Sequence, residues 1–266
     1  MKRAVAVLVL TLCMQAPGAV WILDDFESYD KSGNRIYDTW LDGLQNWTGS
    51  EVNDVDPCDE PAHEGMQSMM YKYSNNVNWG QGYYSEIERR YDSPMDWTAP
   101  NVKGLTLYFY GDPENDANAT EQMYFGITDM AGKYAEVRYG DHGEDMNDIQ
   151  IAGWTDWNIY LQDFNDGGVD LGYVSSILIG FGDRDNLLIK GGAGVVYFDD
   201  IQVYDRTCAP RFAPAADFTG DCRVNFHDLK KMAELWLGIH EEDRIDLEDY
   251  AVLTNMWLSE RFFPPD

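Results

Sequence analysis

The chain has 266 residues, a formal net charge of −28 and an aromatic content of 14%. That charge repels nucleic acid and anionic membranes and suits neutral ligands and cations, and the length accommodates one large domain and one small one. After the first 19 residues no stretch approaches 18 consecutive apolar residues, so no membrane insertion is expected.

In chain order, Met1-Lys2-Arg3 is a short basic start, residues 4–14 are apolar, and Ala16-Pro17-Gly18-Ala19 offers small residues for cleavage. This pattern predicts a secretory signal peptide over 1–19 and a secreted or extracellular protein, attached to a cell surface by noncovalent means if at all. Leu12 stands before Cys13, where a lipoprotein signal needs a small residue.

Residues 20–205 follow. Leu23-Asp24-Asp25-Phe26-Glu27 opens this region. Two aromatic-polar segments come next, Tyr37 to Trp47 with Trp40, and Asn75 to Tyr84 with Trp79 and Tyr83. A pyranose ring has an apolar face and a polar rim, so Trp79, Tyr83, Tyr84, Trp40 and Trp47 are candidate ligand-binding residues, with the hydrophobic core as the rival destination for each ring. In Ser85 to Arg90, Glu86 and Glu88 stand on one face of a strand, about 7 Å apart by strand rise. They are candidates for a catalytic carboxylate pair; facing Arg89, Arg90 or solvent is the alternative.

Segments 104–110, 122–128, 133–139, 156–161, 175–182 and 194–204 alternate or run apolar and are separated by clusters of Gly, Asp and Asn. Short strands at this spacing, without long helical patterns, predict a mainly β sandwich. The opening segment, the closing Val196 to Tyr204, and the Trp154, Trp157, Ile159, Leu161 pattern resemble the jelly-roll, galactose-binding-like sandwiches that include many carbohydrate-binding modules. That resemblance implies neighbouring first and last strands, with a structural calcium where they meet, held by Asp25, Glu27 and Asp200; Asp199 is the rival on the opposite strand face. Residues 206–216 carry Pro210, Pro214 and small residues and read as a linker.

Residues 217–260 form the last unit. Asp217, Thr219, Asp221, Asn225 and Asp228 occupy positions 1, 3, 5, 9 and 12 of a loop, with the Arg223 backbone carbonyl at position 7 and Val224 as the aliphatic anchor. This is the EF-hand spacing for calcium. A helical pattern follows, and residues 224–237 recur after 21 residues, aligning Asp228 with Asp249 and Trp236 with Trp257. The repeat resembles the type I dockerin family, paired calcium loop-helix units that dock onto cohesin domains. Gly238, His240 and Glu242 replace the early ligands in the second unit, leaving Asp246 and Asp249, so one competent calcium site is expected. Cys208 and Cys222 could staple the linker to the first loop, leaving Cys58 odd; the spacing leaves other pairings open.

The expectation is a secreted, noncatalytic glycan-binding protein with calcium as cofactor, a polysaccharide as ligand and a cohesin-like protein as the attachment partner. A sandwich glycosidase or lyase using Glu86 and Glu88, and a purely structural surface protein, are the alternatives.

Overall fold

The computed structural model describes residues 20–53, 61–98, 102–116, 121–205, 208, 213–236 and 247–264. The signal-peptide residues, Cys58, Pro210 and the second-loop residues Gly238, His240, Glu242 and Asp246 lie outside the described residues.

Two antiparallel sheets stack face to face. One runs β3 (Ser50–Val52), β4 (Met69–Ser74), β11 (Ala193–Tyr204), β6 (Gly104–Tyr110) and β9 (Trp154–Tyr160), with β1 (Val20–Asp24) pairing on β11. The other runs β2 (Trp40–Leu41), β5 (Tyr84–Met95), β10 (Val174–Gly182), β7 (Met123–Asp129) and β8 (Tyr134–Arg138). The first and last strands are therefore neighbours, as expected: β4 pairs with residues 193–198 of β11, and β1 pairs with its far end from Ile201 to Tyr204. Between them the register slips at Asp199, and Asp200 takes a left-handed φ of 45°. Such a bulge changes which side chains face inward.

Alternation places Ile87, Ile179, Phe125 and Val137 in one inward row of the five-stranded sheet, opposite Val196, Phe198, Phe109, Leu107, Trp157 and Ile159 of the other sheet. Burying one such side chain stabilises the fold by about 1.5–3 kcal/mol, so this interior holds the sheets together.

The C-terminal segment packs separately around Ala216, Val224, Met232 and Leu253, with helices α4 (Phe226–Trp236) and α5 (Leu247–Asn255). (The short helices α1, Ile36–Thr39, α2, Gly43–Asn46, and α3, Gln162–Asp166, belong to the sandwich.) Ala216 and Pro214 are buried, so the expected linker gives way to packed structure before residue 216. Phe263 rests against Tyr204 and Tyr160 of the sandwich. No described helix is long and apolar enough to cross a membrane.

Candidate functional site

The outer face of the five-stranded sheet carries a dense set of paired charges and tyrosines. Register sets Glu86, Gly180, Tyr124 and Arg138 in one cross-strand row and Glu88, Leu178, Gly126 and Glu136 in the next. The two glycines make room for rings lying on the sheet. A Cβ at Gly180 would stand 2.1 Å from Tyr124 Cζ, and one at Gly126 would stand 2.7 Å from Tyr134 Cε2. Glycine inside a strand commonly marks such a close approach.

Over these rings lies a layer of paired charges. Arg184 extends from the turn after β10 to Glu86 (3.1 Å) and stacks on the Tyr134 ring at 4.1 Å. Tyr124 donates its hydroxyl proton to Glu86 (2.8 Å). Arg138 pairs with Glu136 and donates to the Gly182 carbonyl (2.9 Å), while Arg90 pairs with Glu88 (2.6 Å). Glu86 is only 4% exposed. Burial pushes its carboxyl up to about 6, against the lowering pull of Arg184 and of the Tyr124 hydrogen bond. Glu86 and Glu88 do share a face, as read from the sequence. Arg89 points to the other side, where it meets Asp24 (2.6 Å).

Two exposed tryptophans stand in loops tied to the strands and turn of this layer. Trp47, 61% exposed, has a left-handed φ of 63° and is flanked by Asn46 and Thr48, whose side chains donate to the Glu86 carbonyl. Trp79, also 61% exposed, lies in the loop joined to the Arg184 turn through Tyr83 N–H and the Asn186 carbonyl (2.8 Å). Tyr83 is half-buried. Two of the predicted ligand-binding rings need correction. Trp40 is wholly buried and donates Nε1–H to Asp24 (2.9 Å), because the apolar interior takes its ring. Tyr84 is 7% exposed and meets Arg184 through its hydroxyl, so it supports the layer and offers no open ring face. Trp157 is core, and Trp154 is half-buried on the outer face of the six-stranded sheet.

The proposed terminal-strand calcium ligands are not brought together. Asp25 accepts from Glu27 N–H, Glu27 accepts from Met66 and Gln67 N–H, and Asp200 pairs with His63 Nδ1 (2.7 Å). Among the described residues these three carboxylates do not form a metal-ligating group. The buried acid there is Asp24, which sequence reasoning passed over. It accepts from Phe26 N–H, the Tyr29 hydroxyl, Trp40 and Arg89, so a guanidinium already supplies the cation. Asp199 is buried as well. Burial and the neighbouring Asp200 push its carboxyl up to about 7, opposed by the His63 backbone N–H.

In the C-terminal loop, carboxylate oxygens of Asp217, Asp221 and Asp228 lie within 4.8 Å of one another. Asp217 accepts from the Gly220, Asp221 and Cys222 N–H groups; fully buried Asp228 accepts from the Thr219 hydroxyl and from the Thr219 and Asn225 N–H groups. An all-oxygen donor set with three converging carboxylates fits calcium. Asn225 caps α4 through His227 N–H, and Arg223 bridges to Glu260. Cys222 has a left-handed φ of 59° and is joined to Cys208 by a disulfide, the pairing that the sequence had left open.

No protein-family model matches the chain, and no curated protein matches it. Among solved structures, an exo-β-agarase overlaps 68% of the chain at 12% identity with a TM-score of 0.47; the chain spans 25% of that protein. The CBM22-1 xylan-binding domain of Paenibacillus barcinonensis Xyn10C overlaps 71% of this chain and 96% of its own at 15% identity, TM-score 0.39. A family 30 carbohydrate-binding module overlaps 62% of this chain and 90% of its own at 14% identity, TM-score 0.41.

Proposed function

We propose that the chain is a secreted, noncatalytic glycan-binding protein. Its binding face is the outer surface of the five-stranded sheet, and its C-terminal unit is a calcium-binding, dockerin-like attachment module that engages a cohesin-like partner. The observation that carries the binding reading is the layer of three guanidinium-carboxylate pairs, two of them with the guanidinium over a tyrosine ring, together with exposed Trp47 and Trp79 in loops tied to the same sheet. Fixed donors and acceptors beside open indole faces match the polar rim and apolar face of a sugar. The attachment reading is supported by the oxygen donor set of the loop and by the loop-helix repeat.

A polysaccharide panel tests the proposal, with retention scored beside release of reducing sugar. Binding without product is the expected result. Trp79→Ala should weaken binding by about 1 kcal/mol or more, the scale of an aromatic contact, while the melting temperature stays put. A fold that survives with unchanged affinity would place the ligand elsewhere.

A hydrolase or lyase is the second candidate, because burial raises the Glu86 carboxyl to about 6, into the range of a general acid, on the same face as Glu88.

A further inference from the structure

Resting on the glycan-binding reading, we propose that this face selects uncharged polysaccharide chains because its guanidiniums are neutralised from within. Arg90, Arg138 and Arg184 are each held by a glutamate of the same face, Glu88, Glu136 and Glu86 respectively. A guanidinium is the side chain best suited to a uronate or sulfate group, which it binds through two parallel hydrogen bonds. Here Arg184 has already turned Nε and Nη2 toward Glu86, and Arg138 has committed Nη1 to the Gly182 carbonyl and Nη2 to Glu136. An acidic sugar would have to displace a carboxylate that is itself buried or tethered, and it would approach a chain of net charge −28. A neutral hydroxyl, donor and acceptor at once, needs no such displacement, because each pair offers unshared N–H groups next to carboxylate lone pairs.

The geometry also predicts how selectivity breaks. Removing a glutamate charge while keeping its shape leaves its guanidinium free to take an anion, and Arg184 stays preoriented on the Tyr134 ring. Glu86→Gln frees Arg184 over Tyr134, and Glu88→Gln frees the more exposed Arg90 at the margin of the face.

The test uses the full chain and matched polysaccharides that differ in charge: agarose against carrageenan, methyl-esterified against free homogalacturonan, and unsubstituted against glucuronate-bearing xylan. Affinity electrophoresis followed by calorimetry should show at least one neutral member bound and its acidic match weaker by about tenfold or more, since like charge at an interface is strongly penalised. Glu86→Gln should gain affinity for the acidic match, and the gain should vanish at high salt. Glu88→Gln gives the same readout if Glu86→Gln does not fold. Equal or tighter binding of the acidic member by the unmodified protein overturns the charge selection while leaving glycan binding intact. Unchanged selectivity in both folded variants overturns it too. Retention of no member at all removes the glycan-binding reading itself.

Discussion

Asp24 and Glu86 show how differently two buried carboxylates behave at the residue scale. Asp24 is met by a guanidinium and three neutral donors on the inner side of β5, so its charge is compensated inside the fold. Asp24→Ala should destabilise by about 3–5 kcal/mol, the cost of stranding a partly buried Arg89; a thermal melt within a few degrees of the parent would show that Arg89 finds solvent instead. Glu86 has the opposite signature. Its folded-state value, about 6, lies above the ordinary 4.5. The folded protein therefore holds the proton more tightly than the unfolded chain, and the stability this contributes is fully present below about pH 4.5 and lost as pH rises through about 6. Glu86→Gln, which cannot ionise, should flatten the fall in melting temperature across that window. Parallel pH profiles for the two proteins would assign the slope elsewhere, Asp199 being the next group to examine because its window extends to about 7.

At the scale of elements, the strands legible in the sequence are those whose inner face is continuous: β6 has the predicted bounds, and β7 to β11 fall within two residues of theirs. β4 was not among the predicted strands, and β5 was read as a strand only over Ser85 to Arg90, short of its full span from Tyr84 to Met95. In β5 the outward positions Glu86, Glu88 and Arg90 build the charged layer while Arg89 reaches through to Asp24, which leaves little apolar alternation to detect. Arg184 was hidden inside a turn cluster, since nothing local says that its side chain folds back over Tyr134. Gly126 and Gly180, each interrupting an apolar strand, were the available signal for rings lying flat on the sheet. The convergence of Asp217, Asp221 and Asp228 was readable because the three stand close together in sequence. If the loop holds calcium as proposed, the affinity measured by calorimetry on the full chain should fall sharply in Asp217→Ala and Asp228→Ala and hold in His240→Ala. Equal losses in all three would mean that the wrong loop was identified as competent.

The molecule combines two kinds of construction: a sandwich stabilised by a large aromatic and aliphatic interior, and a small C-terminal unit with, among the described residues, four buried core side chains, a disulfide and a loop of converging carboxylates. A unit this small depends more on a covalent staple such as the Cys208–Cys222 disulfide than the sandwich does. On the proposed function this division would separate attachment from recognition, and it lets the sheet face be altered without touching the loop. The remaining choice between recognising a glycan and cleaving one rests on Glu86 and Glu88. Both of their carboxylates are engaged by arginines, and Glu86 also accepts from Tyr124, which holds it in place but leaves it little freedom to deliver a proton. Replacing both by glutamine preserves shape and removes the acid-base pair. A hydrolase treated this way should lose nearly all turnover. We expect instead no turnover in the parent and, in the double variant, neutral-glycan affinity within a small factor of it, read by calorimetry beside a reducing-sugar assay. Turnover in the parent that disappears in the double variant would establish the face as an active site and reassign the molecule to the enzymes.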